Sequence, residues 1–302
     1  MIISNKCSHD CPYCYRNCTP SGEEADINIV KEFISYITLN HSIFEIAIGG
    51  GNIVEYTYLE ELCDVIESCH ANPLKSGTVF NTTLNWKDFK DENIERIKLI
   101  FETFRGIAIS VSNMDEAGKV FEFMDKHKIQ AKREQLTFQC IPELMRYEDL
   151  VELVQQRKYM VSNIPLRVTF LGFKHTGRGN SSLYSAAEFE EKKNEFRKFI
   201  ANSKEIFDQP NWWTYCRVCG VDTQLISNFP ELKKTQESWA YTEEEGKFSC
   251  CVDAVSKYVL PSSYSEYKDK YKVENAVPRG WRNSSDQVNL LILALIKLFP
   301  KF

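Results

Sequence analysis

Cys7, Cys11 and Cys14 bring three thiols together in CSHDCPYC, with the spacing Cys-x3-Cys-x2-Cys. Deprotonated thiols are nucleophiles and ligands for soft metals and iron-sulfur clusters. A four-iron four-sulfur cluster held by only three thiolates keeps one iron without a protein ligand. That iron is open to a small molecule, unlike those of an electron-transfer ferredoxin, whose cysteines saturate every iron. The same residues admit a second reading, a structural zinc site that borrows His9 or Cys18 as its fourth ligand.

The spacing, together with an aromatic residue directly before the last cysteine (Tyr13), resembles the radical S-adenosylmethionine (SAM) superfamily. The resemblance implies one 4Fe-4S cluster on Cys7, Cys11 and Cys14, with the amino and carboxylate groups of SAM chelating the open iron. It implies one-electron reduction by a flavodoxin or ferredoxin-type donor and cleavage of SAM to a 5'-deoxyadenosyl radical. The protein's part is to position and shield these groups. The family pattern ends at Cys14, which leaves Cys18 outside the ligand set.

Further residues fit a SAM site. Gly49, Gly50 and Gly51 close the second apolar run, where a backbone without side chains lets a ligand approach closely. Ligands of parallel α/β folds sit beyond the carboxyl ends of strands. In the family a Gly-Gly-Glu segment holds the methionine amino group at this place, and here Asn52 stands where Glu is expected. The segments NTTLN (Asn81 to Asn85) and ISVS (Ile109 to Ser112) bring amides and hydroxyls to the next two strand ends, positions that in the family contact the ribose and carboxylate. Ser110 and Ser112 alternate with Val111 and so face one side; Ser112 also fits as a helix cap. In FLGFKHTGRG, Gly172 would pass beneath an adenine, while Lys174 and Arg178 either meet a carboxylate or form a solvated basic loop. Arg133 is another candidate carboxylate partner.

These residues need a scaffold that gathers strand ends. Strand candidates are Met1 to Ser4, Phe44 to Ile48, Thr78 to Asn81, Gly106 to Val111, Glu134 to Gln139 and Leu166 to Leu171. Between them, apolar residues recur at helical spacing (Ile27, Val30, Ile34, Ile37; Leu59, Leu62, Cys63, Ile66; Ala117, Val120, Phe121, Met124), with further helices at Ile94 to Phe104, Tyr147 to Gln156 and Ala186 to Ile200. Ser112 or Asn113 caps the fourth helix. The reading is an α/β fold: a partial (β/α)6 TIM-type barrel over residues 1–205, followed by a small α+β extension over 206–302. The extension holds Trp212, Trp213, a hairpin from Lys247 to Leu260 and an apolar helix from Asp286 to Phe299.

Cys63, Cys69 and Cys140 read as small core residues. The stretch containing Cys250 and Cys251 resembles the hairpin of the SPASM or twitch domain of peptide-modifying radical SAM enzymes, which carries auxiliary clusters. Two expected ligands are missing, near Glu243 and at Ser262 after Pro261. Adjacent cysteines on one strand point to opposite faces, so at most one of Cys250 and Cys251 joins Cys216 and Cys219. The extension is therefore expected to be a reduced domain without an auxiliary cluster, and the three N-terminal cysteines to hold the single one.

Over 302 residues, 43% hydrophobic and 26% charged content is that of an ordinary globular chain. The net charge of -5 argues against general nucleic-acid binding. No apolar run approaches the roughly 18 residues of a membrane span, and the N-terminus lacks a secretory pattern, so a cytoplasmic enzyme is expected. The resemblance implies hydrogen abstraction from a peptide or protein substrate. A nucleotide, sugar or other small molecule is the alternative substrate, and a non-catalytic metal-binding interaction module is the alternative of another class. No side chain beyond the cofactor site is singled out as catalytic.

Overall fold

A computed structural model describes residues 1–41, 43–72, 77–132, 135–155, 167–180, 184–202, 219–234, 246, 249–276 and 286–299. From the N-terminus, strands and helices alternate: β1 (Ile2–Ser4), α1 (Ile27–Asn40), β2 (Glu45–Gly50), α2 (Leu59–Ala71), β3 (Val79–Asn85), α3 (Ile94–Thr103) and β4 (Gly106–Ser110). There follow α4 (Met114–Lys126), β5 (Leu136–Cys140), α5 (Tyr147–Gln155), β6 (Arg167–Phe170), α6 (Ala186–Ala201) and β7 (Cys219–Val221). The chain continues through α7 (Thr223–Asn228), β8 (Cys251–Asp253), β9 (Tyr258–Leu260), α8 (Val273–Ala276) and α9 (Gln287–Leu298).

Period-two alternation governs the strands. Ile46 and Ile48 of β2, Phe80, Thr82 and Leu84 of β3, Ile107 and Ile109 of β4, and Phe138 of β5 are buried. The intervening residues include Ala47, Gly49, Asn81, Thr83, Asn85, Ser110, Gln139 and Thr169, all small or polar and none fully buried. A parallel sheet covered by helices on both faces reads as continuous apolar runs. Here one face serves the core and the other is left polar.

Helical stripes cover the apolar face. In α1, Val30, Phe33, Ile34 and Ile37 are buried, each contributing roughly 1.5–3 kcal/mol of transfer free energy. The Asp26 carboxylate accepts from the Asn28 amide at 2.9 Å and caps the first turn, worth about 1 kcal/mol. Asn113, not Ser112, caps α4, accepting from the Glu116 amide at 2.9 Å. Glu116 reaches back to accept from the Ser112 amide at 2.6 Å.

Hydrogen-bonded neighbours follow the order β7-β6-β5-β4-β3-β2-β1-β8-β9, parallel throughout except for the antiparallel β8–β9 hairpin. Chain order and spatial order coincide from β1 to β7, so each crossover advances by one strand, as in a (β/α) series. Among the described residues the ends of this order, β7 and β9, are not paired with each other; the α/β class stands, and strand pairing does not close a barrel. Residues after 205 extend both edges of the sheet, with β7 beside β6 and β8 beside β1.

One boundary moves a site residue. The third strand runs to Asn85 because Asn81–Asn85 pair with Gly106–Ser110 and the alternation continues through Thr82 and Leu84. Asn81 therefore lies beside the first residue of β4, away from the strand end, and Asn85 takes the end position opposite Ser110.

Candidate functional site

The cysteine loop leaves the carboxyl end of β1 and folds back on its own stem. The amides of Asn5, Cys7, Thr19 and Ala25 donate to the carbonyls of Glu23, Thr19, Asn5 and Ile3 at 2.8–3.1 Å. Asp10 (φ 47°) and Asn17 (φ 58°) take the left-handed conformation that short polar side chains tolerate. Cys7, Cys11 and Cys14 are free and half-buried. Burial pushes the Cys7 thiol up to about 11, with the charges of Cys11 and Cys14 adding to the rise, which shows that the three sulfurs share one neighbourhood. Burial also raises Cys11, against the nearby cations Lys87 and Arg178. Cys14 is lowered, first by a hydrogen bond from the Cys18 thiol. Cys18 is buried, its sulfur 3.6 Å from the Gly50 carbonyl oxygen. It backs the loop, within hydrogen-bond reach of Cys14.

Three sets of contacts hold this loop. The first comes from the segment after β6. The Arg178 amide donates to the Cys14 carbonyl at 2.9 Å, its Nε to the Cys11 carbonyl at 3.0 Å and its Nη1 to the Cys18 carbonyl at 2.9 Å. At Gly177 (φ +56°) an added Cβ would stand 2.5 Å from the Tyr15 carbonyl oxygen and 2.6 Å from that of Cys14. Lys174 lies 3.3 Å from Asp222 and over the rings of Tyr15 and Tyr264. With side-chain exposures of 13% for Lys174 and 23% for Arg178, neither is a solvated loop charge. What Gly172 approaches closely is the first turn of α7, where an added Cβ would meet the Leu225 amide. Asp222 caps that turn, accepting from the Gly172 and Leu225 amides at 2.8 Å.

The second comes from the C-terminal hairpin. Arg16 donates to Asp253 at 2.9 Å, Asn5 at 2.8 Å and the Tyr267 hydroxyl at 2.7 Å. The Asp253 side chain is 0% exposed and also accepts from Tyr267 at 2.7 Å and from the amides of Val255 and Ser256. A buried ion pair is tolerable when its remaining lone pairs are met in this way. Tyr15 adds a hydroxyl contact to Ser263 at 3.3 Å.

The third joins the loop to the ends of β2 and β3. The Asn52 side-chain oxygen caps the 3-10 turn Ile53–Glu55 by accepting from the Val54 amide at 3.0 Å. Its NH2 stands 2.9 Å from Glu55, 2.7 Å from Asp88 and 3.1 Å from His9 Nε2. Two hydrogens cannot serve three partners. All groups are satisfied when Asn52 donates to the two carboxylates and His9 Nε2 carries a hydrogen to Asp88 at 2.8 Å. Asp88 also accepts from the Asn85 amide at 2.7 Å. Burial would raise Glu55, but hydrogen bonds from Ser8 and Asn52 outweigh it and hold this carboxyl below its usual range. Directly after the glycine run stands Asn52, and a carboxylate three residues later grips Ser8.

Around these clamps the remaining candidates fall into place. Side chains on Gly50 (φ +128°) and Gly51 would strike the Ser4 and Lys6 carbonyls, so both are demanded by packing on β1. A Cβ on Gly49 would meet nothing within 4 Å. The Ser110 hydroxyl accepts from Gln139 at 2.9 Å. Tyr13 hydrogen-bonds Ser112 and Cys11, and burial pushes its hydroxyl up to about 12. The Asn81 side-chain oxygen is buried against Gly106, without a hydrogen-bond partner among the described residues. Arg133 and Cys216 lie outside the described residues, and Cys219 is placed only as a backbone position in β7. Cys250 and Cys251 are free, the former pushed up to about 12 and the latter raised, both by burial.

No group of three or more His, Cys, Asp or Glu side chains among the described residues is gathered closely enough to hold a single metal ion. A cluster interposes its own irons and sulfides between its ligands. Three free thiols in one neighbourhood, with Lys87 and Arg178 close to Cys11, suit that larger group. Sequence reading missed Arg16, Asp253, His9 and Asp88 as partners. Their one local signal is Arg16 following Cys14 by two residues, because their pairings span 79 to 237 positions of the chain.

No protein-family model and no curated protein sequence matches this chain. Among solved structures it is similar to one described as native anSMEcpe with bound AdoMet and Cp18Cys peptide. The two share 11% identity, the TM-score is 0.52, and the likeness covers 95% of this chain and 80% of the other. No described helix is long and apolar enough to cross a membrane. The chain has a mixed α/β fold like that of a protein solved with AdoMet and a peptide.

Proposed function

We propose that this chain is a radical SAM enzyme that abstracts hydrogen from a peptide or protein substrate. The observation that carries the reading is the loop of three half-buried thiols at the carboxyl end of β1, braced from three sides and packed against Gly50 and Gly51. A 4Fe-4S cluster bound to Cys7, Cys11 and Cys14 would supply the electron that cleaves SAM to a 5'-deoxyadenosyl radical.

The chain's own residues hold and orient. Arg178, Arg16 and the His9–Asp88–Asn52 network keep the loop in one conformation, so the thiolates need no reorganisation when they bind. Gly49, where an added Cβ would meet nothing within 4 Å, is the proposed point of close approach for SAM, with Tyr13, Asn52, Ser110 and Ser112 as the further proposed cofactor-site residues. Gly50 and Gly51 shape that backbone by packing on β1, and Arg178 acts on the site through the cysteine-loop carbonyls it holds. The polar sheet face, from Asn81 through Gln139, offers hydrogen-bond partners to a polar ligand. We assign residues 1–205 to SAM binding and 206–302 to bracing the loop and covering the substrate. A peptide is preferred as substrate because the structurally similar protein was solved with one. A single cluster is preferred because two of the ligand positions expected of an auxiliary site, near Glu243 and at Ser262 after Pro261, carry no cysteine.

Anaerobic reconstitution tests this. About four irons per chain and formation of 5'-deoxyadenosine from SAM with dithionite are expected, and both should vanish when Cys7, Cys11 and Cys14 are replaced by Ala. A protein that purifies with zinc, or a reducible cluster that never cleaves SAM, would refute it.

A further inference from the structure

Cys18 is a thiol to which the function proposed above gives no task. It is 2% exposed and lies between two neighbours, the Gly50 carbonyl oxygen at 3.6 Å and the thiol of Cys14, with which it is in hydrogen-bond contact. The Cys14 sulfur also accepts from the backbone amides of Arg16 and Cys18, so it lies against the backbone of Cys18 as well as its side chain. Cysteines of the core are engaged otherwise. Cys69 contacts Thr38 at 3.7 Å, Cys63 hydrogen-bonds Thr103, and Cys140 is enclosed by apolar side chains.

The backbone keeps these two residues together. The Asn17 amide donates to the Cys14 carbonyl at 3.2 Å, and Asn17 takes the left-handed conformation (φ 58°) directly before Cys18. Arg178 pins both ends, its amide donating to the Cys14 carbonyl and its Nη1 to the Cys18 carbonyl, each at 2.9 Å. A disulfide brings its sulfurs to about 2 Å. Thiols already in hydrogen-bond contact reach that separation by side-chain rotation. Cys14 is half-buried and Cys18 buried, which gives them different parts: Cys14 can meet an external oxidant, and Cys18 needs to meet only Cys14.

We propose that in the cluster-free protein Cys14 and Cys18 close into a reversible disulfide, which withdraws one of the three cluster ligands and makes cluster assembly depend on reducing conditions. The inference rests on the function proposed above, which makes Cys14 a ligand. The oxidant is a low-molecular-weight disulfide such as glutathione disulfide. The Cys14 thiolate attacks one of its sulfurs and releases the first glutathione; the Cys18 thiolate then attacks the Cys14 sulfur and releases the second. Two protein thiols are oxidised, one external disulfide is reduced, and the two thiol protons end on the two glutathiones. A dithiol reductant reverses the reaction. A bound cluster occupies the Cys14 sulfur and so protects it.

Trypsin reads the bond directly, because it cuts after Lys6, Arg16 and Lys31 and so separates Cys14 from Cys18. The metal-free full chain is equilibrated anaerobically with glutathione disulfide, its free thiols are alkylated, and the digest is analysed by mass spectrometry. The expected product is peptide 7–16 joined to peptide 17–31 through Cys14, with Cys7 and Cys11 alkylated. Offered a preformed cluster on a scaffold protein without added thiol, the oxidised chain should take up at least about tenfold less iron than the roughly four per chain of the reduced form, and prior treatment with dithiothreitol should restore uptake. C18S should give no joined peptide and, when reduced, should still bind about four irons. C7S/C11S, which retains Cys14 and Cys18, should give the same joined peptide, so the mapping does not depend on the folding of C18S. Cys18 found alkylated in the oxidised wild type, or joined to Cys7 or Cys11, overturns the switch and leaves the enzyme reading intact, as does full iron uptake by the disulfide form. A fully loaded wild type that fails to cleave SAM with dithionite overturns the enzyme reading itself.

Discussion

Replacing Arg178 with Met removes two side-chain hydrogen bonds to the cysteine loop, Nε to the Cys11 carbonyl at 3.0 Å and Nη1 to the Cys18 carbonyl at 2.9 Å. The backbone bond from residue 178 to the Cys14 carbonyl survives. A hydrogen bond from a charged donor contributes about 1.5–3 kcal/mol. The Arg178 side chain is 23% exposed, so water recovers part of the loss, and the lower end of the range applies twice, about 3 kcal/mol in all. That is roughly a hundredfold in the population of the closed loop. Thermal unfolding of the metal-free protein should fall by about 6 °C, and a chelator should strip iron from the reconstituted protein markedly faster. Arg178→Lys keeps the charge but not the planar fork that reaches two carbonyls, so it should recover about half the loss. A Met variant that melts within about 1 °C of wild type and releases iron at the wild-type rate would refute the claim that Arg178 organises the loop.

Asp253→Asn leaves the buried Arg16 without its counter-charge, which should cost about 3–5 kcal/mol in denaturant unfolding; the double variant with Arg16→Met should regain a large part of it. Gly51→Ala drives a Cβ into the Lys6 carbonyl and should destabilise by more than about 2 kcal/mol, whereas Gly49→Ala meets nothing within 4 Å and should change stability by under about 0.5 kcal/mol while weakening SAM binding measured by calorimetry. His70 is lowered in the fold, first by burial and then by Arg105. Its protonation therefore favours the unfolded chain, so stability is whole above the unfolded value of about 6.5 and declines as pH falls below it toward the lowered folded value. His70→Phe should flatten the unfolding midpoint across that window, and an unchanged slope would count against the assignment.

Much of the scaffold is written locally. Alternation in Glu45–Gly50 and Gly106–Ser110, and apolar residues at helical spacing in Ile27–Asn40 and Leu59–Ala71, declare strand or helix within a few residues of chain. The cysteine spacing is likewise local, and so is the glycine run after Ile48. The third strand was legible only in its first half, because Asn81 to Asn85 are mostly polar and look like a loop until pairing with β4 shows that the strand runs on through them. The clamps on the loop were not legible. Arg178 in isolation reads as a solvated or ligand-binding charge, and only the fold reveals that its guanidinium is spent on the carbonyls of Cys11 and Cys18, 160 or more residues away. Arg16 and Asp253, 237 residues apart, carry no mark of their pairing in either neighbourhood. Residue types and spacing determine which chemistry is available, because propensity and ligand geometry act over a turn or a strand. Which charges are buried, and against what, depends on the stacking of β8 beside β1 and on the return of the post-β6 segment, so only the tertiary structure decided how the thiols are held.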